Sequence, residues 1–270
     1  MKKLFMGIAA LVTLLITSNV ARAEEFIQVK GLYWNAVLDG KVKADTALIN
    51  GTNIDFQDDL HTDRTSEIPA LEFRVNLLGA YKFTGSYWKT SYAGTKTLIK
   101  NISYNGKNYA LGERVTTDID ISVGSLLYEK SFIPESVSGA FPTVAQAQFG
   151  IRAGLEYIST KCQILSSTTG VSSDQDAALP IPVLGLFTQI GVFKNLVNME
   201  AGINGFGGTI SDYSFKFVDA YIELKYQVTP LIPVGVGYKL VNLKIESDAD
   251  NEFFTNLTLD GAYIFASISF

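Results

Sequence analysis

The chain has 270 residues, 47% hydrophobic and 12% aromatic, but only 18% charged, below the roughly 25% usual in soluble domains. That balance excludes intrinsic disorder, and 23 Gly and 7 Pro in no period exclude a collagen-like or low-complexity chain. With 22 basic against 27 acidic residues, one Cys and one His, it shows no nucleic-acid footprint, no internal disulfide framework and no classical zinc site.

The amino terminus reads as an export signal. Lys2 and Lys3 form a charged start, Leu4 to Ile16 is almost unbroken apolar sequence, and Ala21-Arg22-Ala23 supplies the small-x-small pattern of a cleavage site. The apolar run is shorter than the ~20 residues a membrane helix needs. Residues 1–23 are therefore expected to be a cleaved signal peptide and 24–270 the mature chain. Loss of Lys2, Lys3 and Arg22 leaves 19 basic against 27 acidic residues, a formal charge of −8. No Cys lies near the cleavage site to carry a lipid.

Beyond Glu24 no stretch approaches 18 apolar residues, and alternation with period two dominates. Strands are expected near 26–39, 68–77, 82–93, 114–132, 146–161, 181–193, 196–205, 212–228, 233–245 and 254–270. In chain order, the apolar faces are Leu71, Phe73, Val75 and Leu77; Ile119, Ile121 and Val123; Phe149, Ile151, Ala153, Leu155 and Tyr157; Val197, Met199, Ala201 and Ile203; and Ala220, Ile222, Leu224 and Tyr226. Successive strand residues point to opposite faces, so each segment has one apolar and one polar side. An exported soluble β-sandwich also alternates. Its strands usually run about 5–6 residues, whereas these run ten or more and carry mixed charges on the polar face. The expected fold is all-β: a single antiparallel transmembrane β-barrel of about ten strands. Eight or twelve stay open, because faint strands in Gly40–Glu67 or Asn101–Gly112 would change the count. Links at 78–81, 194–195 and 229–232 are tight, and those after the first, third, fifth and ninth strands are longer and polar. That asymmetry suits short periplasmic turns and longer extracellular loops, with a long 133–145 link as the exception.

The final segment, Gly261-Ala-Tyr-Ile-Phe-Ala-Ser-Ile-Ser-Phe270, resembles the closing strand of Gram-negative outer-membrane β-barrels. The resemblance implies that Phe270 is the signal read by the barrel-assembly machinery. Pro182-Val-Leu-Gly185 through Gly235-Val-Gly-Tyr238, before an acidic loop at Glu246 to Glu252, resembles small OmpW-like and other uncharacterised outer-membrane barrels. It implies residence in a Gram-negative outer membrane, with membrane lipid and lipopolysaccharide as surroundings and no cofactor.

Within such a barrel, Tyr33, Trp34, Phe83, Tyr87, Tyr157, Phe193, Tyr226, Tyr238 and Phe270 are candidates for interfacial girdles, with plain packing as the other reading of Trp34. Strand parity places Glu72, Arg74, Asp118, Asp120, Arg152, Glu156, Glu200, Asp219, Glu223, Lys225 and Lys239 in the lumen. Both signs occur there, so the set is either a plug of ion pairs, slightly favoured, or the lining of a narrow pore for small solutes. Asp118-x-Asp120 and Asp59-x-His61 superficially resemble the acidic pair and Asp-His couple of omptin proteases, but the surrounding residues do not match. His61 is the sole His, and no serine motif accompanies it as in lipid A deacylases. Its acidic loop lacks regular calcium-loop spacing. Cys162 reads as a small apolar residue, and Gly202, Gly205, Gly207 and Gly208 as a flexible strand end or bulge. The functional expectation is a non-enzymatic outer-membrane barrel, either a narrow passive channel or a structural and surface-interaction barrel. The alternatives are an enzyme at the barrel mouth, using Asp59, His61, Asp118 and Asp120, and a soluble exported binding protein. Solute and oligomeric state are not readable.

Overall fold

A computed structural model describes residues 26–45, 50–77, 81–132, 144–193, 196–210, 213–229, 231–247 and 253–270. The signal peptide, most of the tight links and the 133–143 link lie outside the described residues. In chain order the strands are β1 (Ile27–Ala44), β2 (Ile54–Asp55), β3 (Thr65–Leu77), β4 (Tyr81–Thr97), β5 (Ile102–Tyr104), β6 (Lys107–Tyr109), β7 (Arg114–Ser131), β8 (Val144–Ser166), β9 (Ser172–Val192), β10 (Val197–Ile210), β11 (Tyr213–Thr229), β12 (Ile232–Ser247) and β13 (Phe253–Ser269). Ten of these, all but β2, β5 and β6, pair in sequence order into one antiparallel sheet. β1 closes it, pairing with β3 from Ile27↔Val75 to Val37↔Thr65 and with β13 from Gln28↔Ser269 to Ala44↔Phe253. Closure leaves no open edge, which a spanning sheet requires.

Each expected strand falls on one of these ten. The faint strands also exist: β2 pairs with β1 at Lys41↔Asp55 and Val42↔Ile54, and β5 with β6 as a small hairpin. They sit at the far end from the termini and do not widen the barrel. The long polar link expected after the fifth strand shrinks to residues 167–171, because β8 runs on to Ser166 and β9 begins at Ser172.

That extension reveals a property that parity alone does not show. A spanning strand needs ~9–11 residues, yet β4 has 17, β8 has 23 and β9 has 21. Seventeen residues at ~3.3 Å each, tilted by ~40°, rise roughly 43 Å against an apolar band ~25 Å tall. Well over a third of the barrel therefore stands clear of the band, and there the two faces exchange polarity. Near the termini the outer face carries Leu71, Phe73, Leu126, Phe149, Ile151, Leu155, Ile222 and Leu224, while Arg74, Glu129, Arg152, Glu200 and Glu223 are buried inside. Towards the far end Leu38, Ile119, Ile121, Val123, Ile158, Ile164, Leu243 and Leu257 fill the interior, and Asp39, Lys89, Asp118, Lys161, Asp174 and Lys216 face out.

The inversion corrects the placement of Asp118 and Asp120. They alternate with Ile119 and Ile121 as expected, but the apolar side of this part of β7 is the inside. Asp118 is exposed on the outer wall, and Asp120 accepts a hydrogen bond from Ser91 there. Trp34 likewise points inward, fully buried and 5.5 Å edge-on from Trp88, so plain packing is its role. Tyr33, Phe83, Tyr87, Tyr157, Phe193, Tyr226 and Tyr238 are exposed as girdle residues should be. The Gly-rich segment of β10 is no loose end, since Gly202, Gly205, Gly207 and Gly208 pair in unbroken register with β11.

Candidate functional site

The interior of the lower barrel is a layer of charges, each projected inward by strand alternation. Glu200 on β10 is its centre. Its carboxylate accepts from Arg74 Nη1 and Nη2 at 3.2 and 3.0 Å, from Arg152 Nη2 at 3.2 Å and from the Tyr221 hydroxyl at 2.7 Å. Arg74 also lies 3.6 Å from Glu72, and Arg152 lies 3.0 Å from Glu129. Lys30 bridges Glu72 at 3.3 Å and Glu223 at 3.0 Å, and the Tyr263 hydroxyl donates to Glu223 at 3.0 Å. Lys239 pairs with Asp219 at 3.0 Å and lies 6.0 Å from the Trp34 ring. Lys225 points to the same side, within electrostatic reach of Glu200.

Nine of the eleven proposed lumen residues thus gather in one buried or half-buried inner layer: Glu72, Arg74, Arg152, Glu156, Glu200, Asp219, Glu223, Lys225 and Lys239. Asp118 and Asp120 do not join it. The sequence reading missed Lys30, Glu129, Tyr221 and Tyr263. Lys30 shares the parity of Gln28, opposite Val29 and Tyr33, and Glu129 stands opposite Tyr128, so both were findable from alternation. The tyrosines carry no formal charge, so a pattern of charges alone does not point to them.

Buried charges survive only when paired and hydrogen-bonded. Here, opposite signs interlock across β1, β3, β7, β8, β10 and β11, leaving a cavity of only about 50 Å³. One feature of backbone geometry permits the central contact. A Cβ on Gly202 would stand 2.5 Å from Arg152 Nη1 and 2.7 Å from the Tyr221 ring, so only glycine lets the guanidinium lie there.

Above the charges the barrel is closed a second time. Trp34, Leu38, Ile68, Trp88, Tyr92 and Phe217 pack as a hydrophobic core. β2 and the β5–β6 hairpin cover it, adding Ile54, Phe56, Leu60, Leu98, Ile102, Tyr104 and Tyr109. The Tyr109 hydroxyl donates to Ile164 O at 3.0 Å, and burial pushes the Tyr104 and Tyr109 phenols above their ordinary range. At the rim, Glu113 accepts from Ser166 Oγ at 2.6 Å, Ala110 N at 2.9 Å and Thr169 Oγ1 at 3.1 Å. The Ser166 bond, then the Ala110 bond, hold its carboxyl below the usual range.

The residues considered for catalysis do not converge. Asp59 is tied to Lys100 at 2.8 Å, and His61 is exposed on the cap, in a left-handed backbone conformation with φ 54°. Asp118 and Asp120 are on the outer wall. Cys162 is buried and free on the inner face. Among the described residues no three His, Cys, Asp or Glu side chains gather as a metal set.

No family's sequence profile matches the chain, and no curated protein matches it. Solved structures do. The chain superposes on the outer membrane protease OmpT from Escherichia coli with a TM-score of 0.55, over 90% of this chain and 97% of that one, at 11% identity. The fold is that of Gram-negative outer-membrane β-barrels. Looser matches are Neisserial surface protein A, with TM-score 0.35 and 12% identity over 90% and 97% of the two chains, and the P. putida toluene transporter TodX, with TM-score 0.33 and 10% identity over 92% and 91%. At such identities the likeness concerns the fold alone, which serves very different roles in these proteins.

Proposed function

We propose that this chain is an outer-membrane barrel with a closed lumen that acts through its projecting extracellular end, as a structural and surface-interaction barrel and not as a channel or an enzyme. The observation that carries this reading is the double closure. An ion-paired layer fills the lower lumen around Glu200, and an apolar core capped by β2 and the β5–β6 hairpin fills the upper one. A solute would have to break a buried ion-pair network and then cross a dry core. Most links on the side of the termini are short in sequence, 133–143 excepted, which supports a periplasmic placement of that end and an outward-facing polar wall on the upper barrel. His61 and Asp59 stand on that exterior, where Asp59 is already paired with Lys100, and no catalytic step is assigned to them.

Planar-bilayer recording of the refolded mature protein is the test. No stable conductance steps are expected, and steady ohmic steps in the wild type would refute the closed lumen. A fractionation experiment checks residence: the protein should sediment with outer membranes and show heat-modifiable gel mobility.

A further inference from the structure

Three buried oxygen atoms at one side of the ionic layer have no donor: Glu156 Oε2, Asn204 Oδ1 and Asp219 Oδ1. Their residues are only 1%, 3% and 7% exposed, and all three line the same 50 Å³ cavity. Asn204 on β10 and Asp219 on β11 are direct register partners, and Glu156 on β8 lies within electrostatic reach of Asp219 and Lys239. Elsewhere in the layer a shared cation is supplemented: Glu72 and Glu223 both take Lys30, but Arg74 lies 3.6 Å from Glu72 and the Tyr263 hydroxyl donates to Glu223. Here Lys239 is held by Asp219 Oδ2 at 3.0 Å, so one ammonium serves two carboxylates.

An unpaired buried acceptor is costly, and an unpaired carboxylate more so. A proton shared between two of these oxygens would leave the third bare. Water can supply donors to these acceptors but brings no charge to offset the carboxylates. A hard cation takes carboxylate and amide oxygens together and cancels the excess negative charge. The cavity has room for it, since a water-sized occupant needs only ~10–15 Å³.

We propose that Glu156, Asn204 and Asp219 form a buried site for a hard, oxygen-seeking cation inside the barrel. Two carboxylates beside one ammonium leave one negative charge, which favours sodium over a divalent ion. The site adds a structural ion to the closed lumen, and it stands whether or not the extracellular end binds a partner.

The refolded barrel, washed with chelator, is unfolded by heat in choline chloride and then in NaCl, CaCl₂ or MgCl₂ at matched ionic strength. Gel mobility and tryptophan fluorescence report the midpoint. At about a hundred times the dissociation constant, the stabilising ion should raise the midpoint by on the order of 5 °C. Glu156→Gln and Asp219→Asn should abolish the rise, and Asp118→Asn on the outer wall should keep it. A saturable rise with calcium instead of sodium supports the site and assigns it a divalent ion. If the Glu156 variant does not refold, Asn204→Ala, which removes no charge, provides the same comparison. The proposal fails if no ion raises the wild-type midpoint above that in choline. It also fails if the rise persists unchanged in the site variants, or if the wild type responds only to pH.

Discussion

Replacing Glu200 by Gln tests whether the lower lumen is a dry, interlocked layer. The carboxylate holds four hydrogen bonds, two from Arg74, one from Arg152 and one from Tyr221, and its side chain is 2% exposed. Removing one partner of a buried pair costs ~3–5 kcal/mol, because the charge left behind stays desolvated. Arg74 keeps Glu72 at 3.6 Å and Arg152 keeps Glu129 at 3.0 Å, so the loss should lie near the lower bound, about 3 kcal/mol. Urea unfolding from lipid vesicles can measure it, with Trp34 and Trp88 in the upper core as fluorescence reporters. A double-mutant cycle with Arg74→Met then isolates the pair: if the layer is dry, the second substitution should cost less in the Glu200→Gln background than alone. A change within about 0.5 kcal/mol would refute the reasoning, since that is the value of a solvent-screened surface pair. It would mean that water reaches Glu200 and that the lumen is open.

Three further outcomes follow from the same geometry. Gly202→Ala should cost ~1–3 kcal/mol by overpacking against Arg152 and Tyr221, whereas Gly207→Ala, whose nearest neighbour would be 3.6 Å away, should show no steric cost in the same unfolding assay. Asp120→Asn should change stability by no more than ~0.5 kcal/mol, because its side chain belongs to the outer wall; a loss of several kcal/mol would put it back in the lumen. Glu113 has a carboxyl held below its usual 4.5 by Ser166 and then Ala110, so its support of the rim is present above 4.5 and fades as the pH falls through the lowered value. Hydrogen exchange at the Ala110 and Thr169 amides should therefore lose protection in acid, and Glu113→Gln should remove that acid dependence.

Alternation made the ten strands, most of the lumen charges and the girdle tyrosines legible, because side-chain direction in a strand has a strict period of two. What alternation does not say is which face meets lipid, and treating the apolar face as outward throughout misplaces Asp118 and Asp120, while the polar start of β9 reads as a loop. The answer is nevertheless written in the order of residues, as a switch of phase within single strands. On β1 the outward positions Val29 and Tyr33 give way to Asn35, Asp39 and Lys41, while the inward positions pass from Gln28 and Lys30 to Trp34 and Leu38. On β8 the outward Leu155 and Tyr157 give way to Ser159 and Lys161, and on β12 Val236 and Tyr238 give way to Asn242 and Lys244. These switches are not independent. Tyr87 and Tyr157 both pair with Gly124, and Tyr33 and Val236 both pair with Ile264. Hydrogen-bond register therefore ties Tyr87 to Tyr157 on one side of the barrel, and Tyr33 to the apolar Val236 on the other, in shared rows. A common level is what one flat lipid boundary imposes, and a soluble sandwich has no reason to invert several strands at matched positions. The rows through Tyr33, Tyr87 and Tyr157 thus mark the outer limit of the membrane, and the described strands above them fold by the rules of a water-soluble barrel with its own apolar core.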